Sequence, residues 1–217
     1  SLVPVGPGGP VDGICTPGDV SGLGYEAELP VTCAFDNVPV NTYSISATVS
    51  GGFFTGANED VLTVYDPSLG FATGGGWFYW PGTTDKTNFG FTMQYKKNGD
   101  NVKGSLLLIR HVGDDAIYRV KSNALYGLAL GTVPAESLGW ASFSGKCTYL
   151  EPGWIEPIGN YEFVVYVEDR DEPGTGVDGA WIEVLDKDNN VVTVMAMGRP
   201  AIDNAVELGG GNVAVPH

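Results

Sequence analysis

Basic residues and histidines are scarce in this chain, and their scarcity narrows the choice of function. Eleven lysines and arginines stand against 26 aspartates and glutamates, a formal net charge of −15. Nucleic acid and anionic lipid both require a basic patch, so neither is expected as a partner. The two histidines, His111 and His217, form no H-E-x-x-H or zinc-like grouping. The three cysteines, Cys15, Cys33 and Cys147, lack zinc spacing. G-x-S-x-G, P-loop and dinucleotide fingerprints are missing as well. No run approaches the roughly 18 apolar residues of a spanning helix, so membrane insertion is not expected. No signal-peptide pattern opens the chain, and Ser1-Leu2-Val3-Pro4 reads as a mature start. These absences predict a non-catalytic protein with no cofactor other than a candidate calcium.

Glycine, proline and alternating apolar residues are abundant. The 32 glycines and 14 prolines follow no Gly-X-Y period, so they mark turns rather than collagen. The stretch Phe71 to Lys97 reads as two strands. In the first, Gly74-Gly75-Gly76 precedes Trp77-Phe78-Tyr79-Trp80, with Trp77 and Tyr79 on one face and Phe78 and Trp80 on the other. Three consecutive glycines cost backbone entropy and imply a close backbone approach, a bulge or a corner. In the second strand Phe89, Phe91, Met93 and Tyr95 share one face, the pattern of a half-buried antiparallel strand.

Further strand patterns lie at Tyr25 to Phe35, Asn41 to Phe54 and Asp60 to Tyr65, with turns expected at Asn37 to Asn41 and Gly56 to Glu59. Beyond Gly70 they continue at 104–110, 116–122, 125–130, 140–149, 161–167, 180–185 and 191–197, the last two joined across Asp186 to Asn190. The expected class is all-β, in three parts: an N-terminal arm at residues 1–12, a partial Ig-like β domain at 13–67, and an antiparallel β-sandwich or flattened barrel at 70–217. The first domain is short of strands, since an Ig-like sandwich has about seven over about 100 residues. Its missing strands point either to a longer parent protein or to edge-strand addition by a neighbour.

From Phe71 to His217 a set of motifs resembles a β-rich C-terminal domain of large secreted bacterial and archaeal surface proteins, which often follows Ig-like or PKD-like repeats. The motifs are TGGGW (Thr73 to Trp77); Lys86, Asn88, Phe89, Gly90, Phe91, Tyr95, Lys96 and Lys97; Tyr118 with Val120 to Asn123; and Phe143 to Gly145. They continue through Tyr161 to Asp169, Glu172 to Gly174 with Asp178, and Leu208 to Val213 with His217. The segment Tyr149 to Ile158 and the residue Cys147 depart from the pattern. The resemblance implies an extracellular, cell-surface location and no particular chemistry.

Four groups of residues are candidate sites. Cys15 and Cys33 could close a disulfide in an oxidising compartment, the alternative being buried free thiols. Asp169, Asp171 and Asp178, with Asp186 and Asp188 as a second group, could supply carboxylates to calcium, the alternative being acidic turns. Trp154, Trp77 and Trp80 could stack on a glycan, the alternative being core packing. Leu2, Val3 and Val5 form an extended arm with no obvious partner in its own chain. Donated to a neighbouring copy, that arm would build a filament by strand exchange. The expected partners are thus copies of the chain or neighbouring surface-protein domains, with a carbohydrate-binding or adhesion module as the other reading.

Overall fold

The computed structural model describes residues 1–4, 8–19, 21, 29–39, 41–49, 56–64, 70–96, 101–113, 116–133, 138–170 and 177–216. Among the described residues five strands precede residue 70: β1 (Leu2–Pro4), β2 (Ile14–Pro17), β3 (Val31–Ala34), β4 (Asn41–Val49) and β5 (Gly56–Val64). Ten follow: β6 (Phe71–Tyr79), β7 (Lys86–Tyr95), β8 (Val102–Val112), β9 (Ala116–Val133), β10 (Leu138–Leu150), β11 (Ile158–Asp169), β12 (Gly179–Leu185), β13 (Val191–Ala196), β14 (Val206–Glu207) and β15 (Gly210–Ala214). The one described helix, α1 (Ala201–Asn204), has four residues. The protein is all-β.

The large sheet runs β13-β12-β11-β10-β9-β8-β7-β6-β15, with β14 beside β12. It is antiparallel throughout and curls into a half-barrel, sandwich-like form. Alternation decides what its concave side holds. Phe78, Phe89, Phe91, Met93, Leu106, Leu108, Phe143 and Phe163 are all buried there in one core, with Phe91 and Phe143 ring centroids 5.1 Å apart. Tyr79, one residue from Phe78 and so on the opposite face, is 56% exposed.

Of the close approach, bulge or corner that the three glycines of β6 allowed, the structure shows a close approach, made at Gly76. Gly211 of β15 lies opposite Gly76. A Cβ on Gly76 would come 2.2 Å from the Gly210 carbonyl oxygen, and one on Gly211 would come 2.4 Å from the Gly76 Cα. Only glycine on both strands lets the backbones pair at this distance.

The smaller sheet has the order β1-β4-β5, and β2 and β3 form a separate two-stranded ribbon. Strands β4 and β5 lie against β9 and β10. This accounts for buried residues on the outward row of those strands: Ala129, Trp140, Ser142 and Ser144 alternate with the inward Leu128, Leu130, Ala141 and Phe143, yet both rows are buried. Sheet-on-sheet packing is thus achieved by the small sheet covering part of the large one.

Three sequence expectations are corrected. The arm has a partner in its own chain: Leu2, Val3 and Pro4 pair with Ile45, Ser44 and Tyr43 of β4, and Leu2 also exchanges two backbone hydrogen bonds with Val11. Leu2–Pro4 thus form the first strand of the β1-β4-β5 sheet. Gly56 to Glu59 are the first residues of β5 rather than a turn. The patterns at 116–122 and 125–130 belong to a single 18-residue strand, β9, which keeps pairing with β10 through register shifts at Ser144/Gly145 and Lys146/Cys147. Bulges of this kind absorb the polar Ser122-Asn123 interruption by bending the strand instead of ending it.

Candidate functional site

Strand β11 ends at Asp169 and β12 begins just after Asp178, so the two carboxylates stand at either side of the connection between these strands. Both are buried, at 2% and 0% exposure. Their partners, Val213 and Val215, lie on β15 and one residue past its end, and the other edge of β15 is already paired to β6. Asp178 Oδ2 accepts from the Val213 N–H at 2.7 Å, and Asp169 Oδ2 accepts from the Val215 N–H at 2.8 Å. Asp178 Oδ1 also accepts from the Arg170 N–H at 3.2 Å. The free edge of the last strand thus has its donors satisfied by carboxylates instead of by another strand, and the curled sheet is drawn together there.

Beside this seam, Glu168 is 1% exposed; Tyr166 donates to its Oε1 at 2.9 Å, and Arg170 donates to its Oε2 through Nε and Nη2. Glu183, also buried, is held by Arg199 through two guanidinium nitrogens. Arg110 is the buried cation of the described residues. Its Nε and Nη2 reach Asp85 Oδ2, its Nη1 donates to the Val194 carbonyl on β13, and its guanidinium lies 4.5 Å from the Trp80 ring centroid. Sequence reading missed these ion pairs, although a glutamate inside the apolar run Ala180 to Leu185 was a visible sign of a buried partner.

The second acidic group is a turn device. Asp186 Oδ1 accepts from the Asp188 and Asn190 N–H groups at 2.8 and 2.9 Å, while Asp188 is exposed. The Asn190 N–H, then the Asn190 side chain, hold the Asp186 carboxyl below its usual value. Asp171 and Val5 lie outside the described residues. Among the described residues no three His, Cys, Asp or Glu side chains gather as a metal-ligating group.

The three tryptophans are separated. Trp80 is 5% exposed with Arg110 over its ring, so the expectation that it offers a face to a glycan is corrected: cation–π packing occupies that face. Trp77 is half-buried, with Lys86 Nζ 4.4 Å from its ring centroid. Trp154 is half-buried on a turn in which Trp154 N–H donates to Glu151 O and Gly153 has φ 87°, the type II pattern with Pro152 in second place. Its ring meets Tyr149 edge-on at 5.7 Å.

Cys15 and Cys33 stand opposite each other on the β2–β3 ribbon and are joined by a disulfide. Cys147 is a buried free thiol. Leu2 is fully buried, whereas Val3 and Pro4 line a cleft of about 480 Å³ with Pro10, Trp181, Pro200 and Ile202. Among the described residues no helix is long and apolar enough to cross a membrane. Comparison with protein-family models, with curated proteins and with solved structures finds no match.

Proposed function

We propose that this chain is a non-catalytic module of an extracellular surface protein, and that its N-terminal strand serves assembly by exchange between copies. The observation that carries this reading is β1. It is three residues long, lies at one end of the β1-β4-β5 sheet, and inserts a fully buried Leu2. The segment after it, Gly6-Pro7-Gly8-Gly9-Pro10, is a sequence unsuited to regular structure. A short strand on such a tether can satisfy β4 of its own chain or of a copy with identical contacts, which is the condition for swapping. The disulfide on an exposed ribbon and the acidic surface charge favour an oxidising, extracellular setting.

Intramolecular pairing competes with exchange at an effective concentration of order mM. Oligomers are therefore expected to grow with protein concentration, and to disappear when residues 1–12 are deleted or Leu2→Asp is introduced. Size-exclusion chromatography with light scattering, followed by electron microscopy of the concentrated sample, reads this directly. A full-length chain that stays monomeric at millimolar concentration would rule exchange out.

A further inference from the structure

Four acidic side chains are buried among the described residues: Glu168, Asp169, Asp178 and Glu183. The two glutamates are each bound to an arginine. Asp169 makes no ion pair among the described residues. Its Oδ2 accepts one backbone N–H, and its Oδ1, on a side chain 2% exposed, has no hydrogen-bond partner. A second oxygen nearby in the chain order of β15 is in the same condition: Asn212 Oδ1 is buried and unpartnered while its Nδ2 donates to the Val213 carbonyl. A buried carboxylate oxygen left without a partner is costly, and buried acidic groups are accordingly paired or coordinate metals.

The backbone brings further oxygen to the same edge. In a strand the N–H and C=O of one residue point to the same side. The Val213 N–H points to Asp178, so the Val213 carbonyl also faces the seam. Carboxylate, amide and carbonyl oxygens of Asp169, Asp178, Asn212 and Val213 thus face this side of β15; Asp178 accepts from the Val213 and Arg170 N–H groups and the Val213 carbonyl from Asn212 Nδ2, which leaves Asp169 Oδ1 and Asn212 Oδ1 as the bare oxygens. A donor set made of hard oxygens, two of them anionic, suits calcium in preference to zinc or copper. We propose that a calcium ion binds at this seam, taking the bare Oδ1 of Asp169 as a principal ligand and tying the last strand to the β11–β12 connection. The proposal stands independently of any assembly role for β1.

The test is calcium titration of chelator-treated full-length protein by isothermal calorimetry, with the thermal midpoint followed in parallel. Wild type is expected to bind one calcium per chain and to gain thermal stability by mass action. Asp169→Asn keeps an oxygen for the Val215 N–H but removes the charge, and should weaken binding by roughly tenfold or more. Asn212→Ala leaves the Val215 contact untouched and should weaken it as well, which keeps the test decisive if the first variant folds poorly. Asp188→Asn, in the exposed hairpin, should bind as wild type does. Absence of calcium binding by wild type would overturn the proposal. So would wild-type affinity in both seam variants, or loss of binding in Asp188→Asn alone.

Discussion

On β10, Cys147 and Tyr149 are both fully buried, and burial disfavours their charged forms. Burial first, and the charge of Glu162 second, push the Cys147 thiol up to about 12 from 9.0. Tyr149 is raised in the same direction, by burial and then by the charge of Glu151. An unfolded chain releases the thiol proton earlier than the folded chain does, so ionisation favours unfolding. The contribution from Cys147 is therefore fully present below about pH 9 and is lost as pH rises towards about 12. Urea midpoints should fall across that range, and Cys147 should resist iodoacetamide at pH 8 until denaturant is added. Prompt alkylation of the native protein would contradict this placement. At this scale the sequence revealed residue types better than partners. The Cys15 and Cys33 pairing could be read, because few cysteines compete. The roles of Asp169 and Asp178 at β15 could not, because the Val215 and Val213 N–H groups they accept from lie 46 and 35 residues away.

Strand alternation carried most of the element-level information, since side chains on a pleated strand have only two directions in which to point. Phe89, Phe91 and Met93 are buried on one face of β7, as their spacing requires. Ends were harder to read than interiors. The polar Ser122-Asn123 pair resembles a turn, but long pairing with β10 overrides that local preference. The glycines of β6 signalled a close approach, a bulge or a corner, and did not tell which or that β15 is the partner, because a contact between residues 76 and 211 leaves no local trace. Gly76→Ala should cost about 2 kcal/mol, the range for forcing extra atoms into a packed contact. Gly90→Ala on β7 has nothing within 4 Å of the added methyl group and should change stability by no more than about 0.5 kcal/mol. Urea unfolding at an unchanged m-value distinguishes these outcomes; equal costs at the two sites would remove the close-approach explanation.

For the whole molecule, the two sheets are unequal in what they can sustain alone. Among the described residues the hydrophobic core cluster runs from Ala72 onward, and every strand of the large sheet pairs within that sheet. The small sheet buries Leu2, Pro4 and Tyr43 among its described side chains and rests on β9 and β10. A sheet of only three strands depends on the surface it covers. Residues 70–217 expressed alone should therefore fold, with dispersed amide resonances and a cooperative urea transition. Trp140, whose outward position loses its cover, should then fluoresce further to the red than in the full chain. Residues 1–69 alone should stay unfolded even with the Cys15–Cys33 disulfide formed, because one cross-link over an 18-residue separation contributes only about 3 kcal/mol. A collapsed spectrum for the 70–217 fragment would mean that the small sheet is part of one indivisible core, and that the outward row of Trp140, Ser142 and Ser144 is as necessary to folding as the aromatic interior.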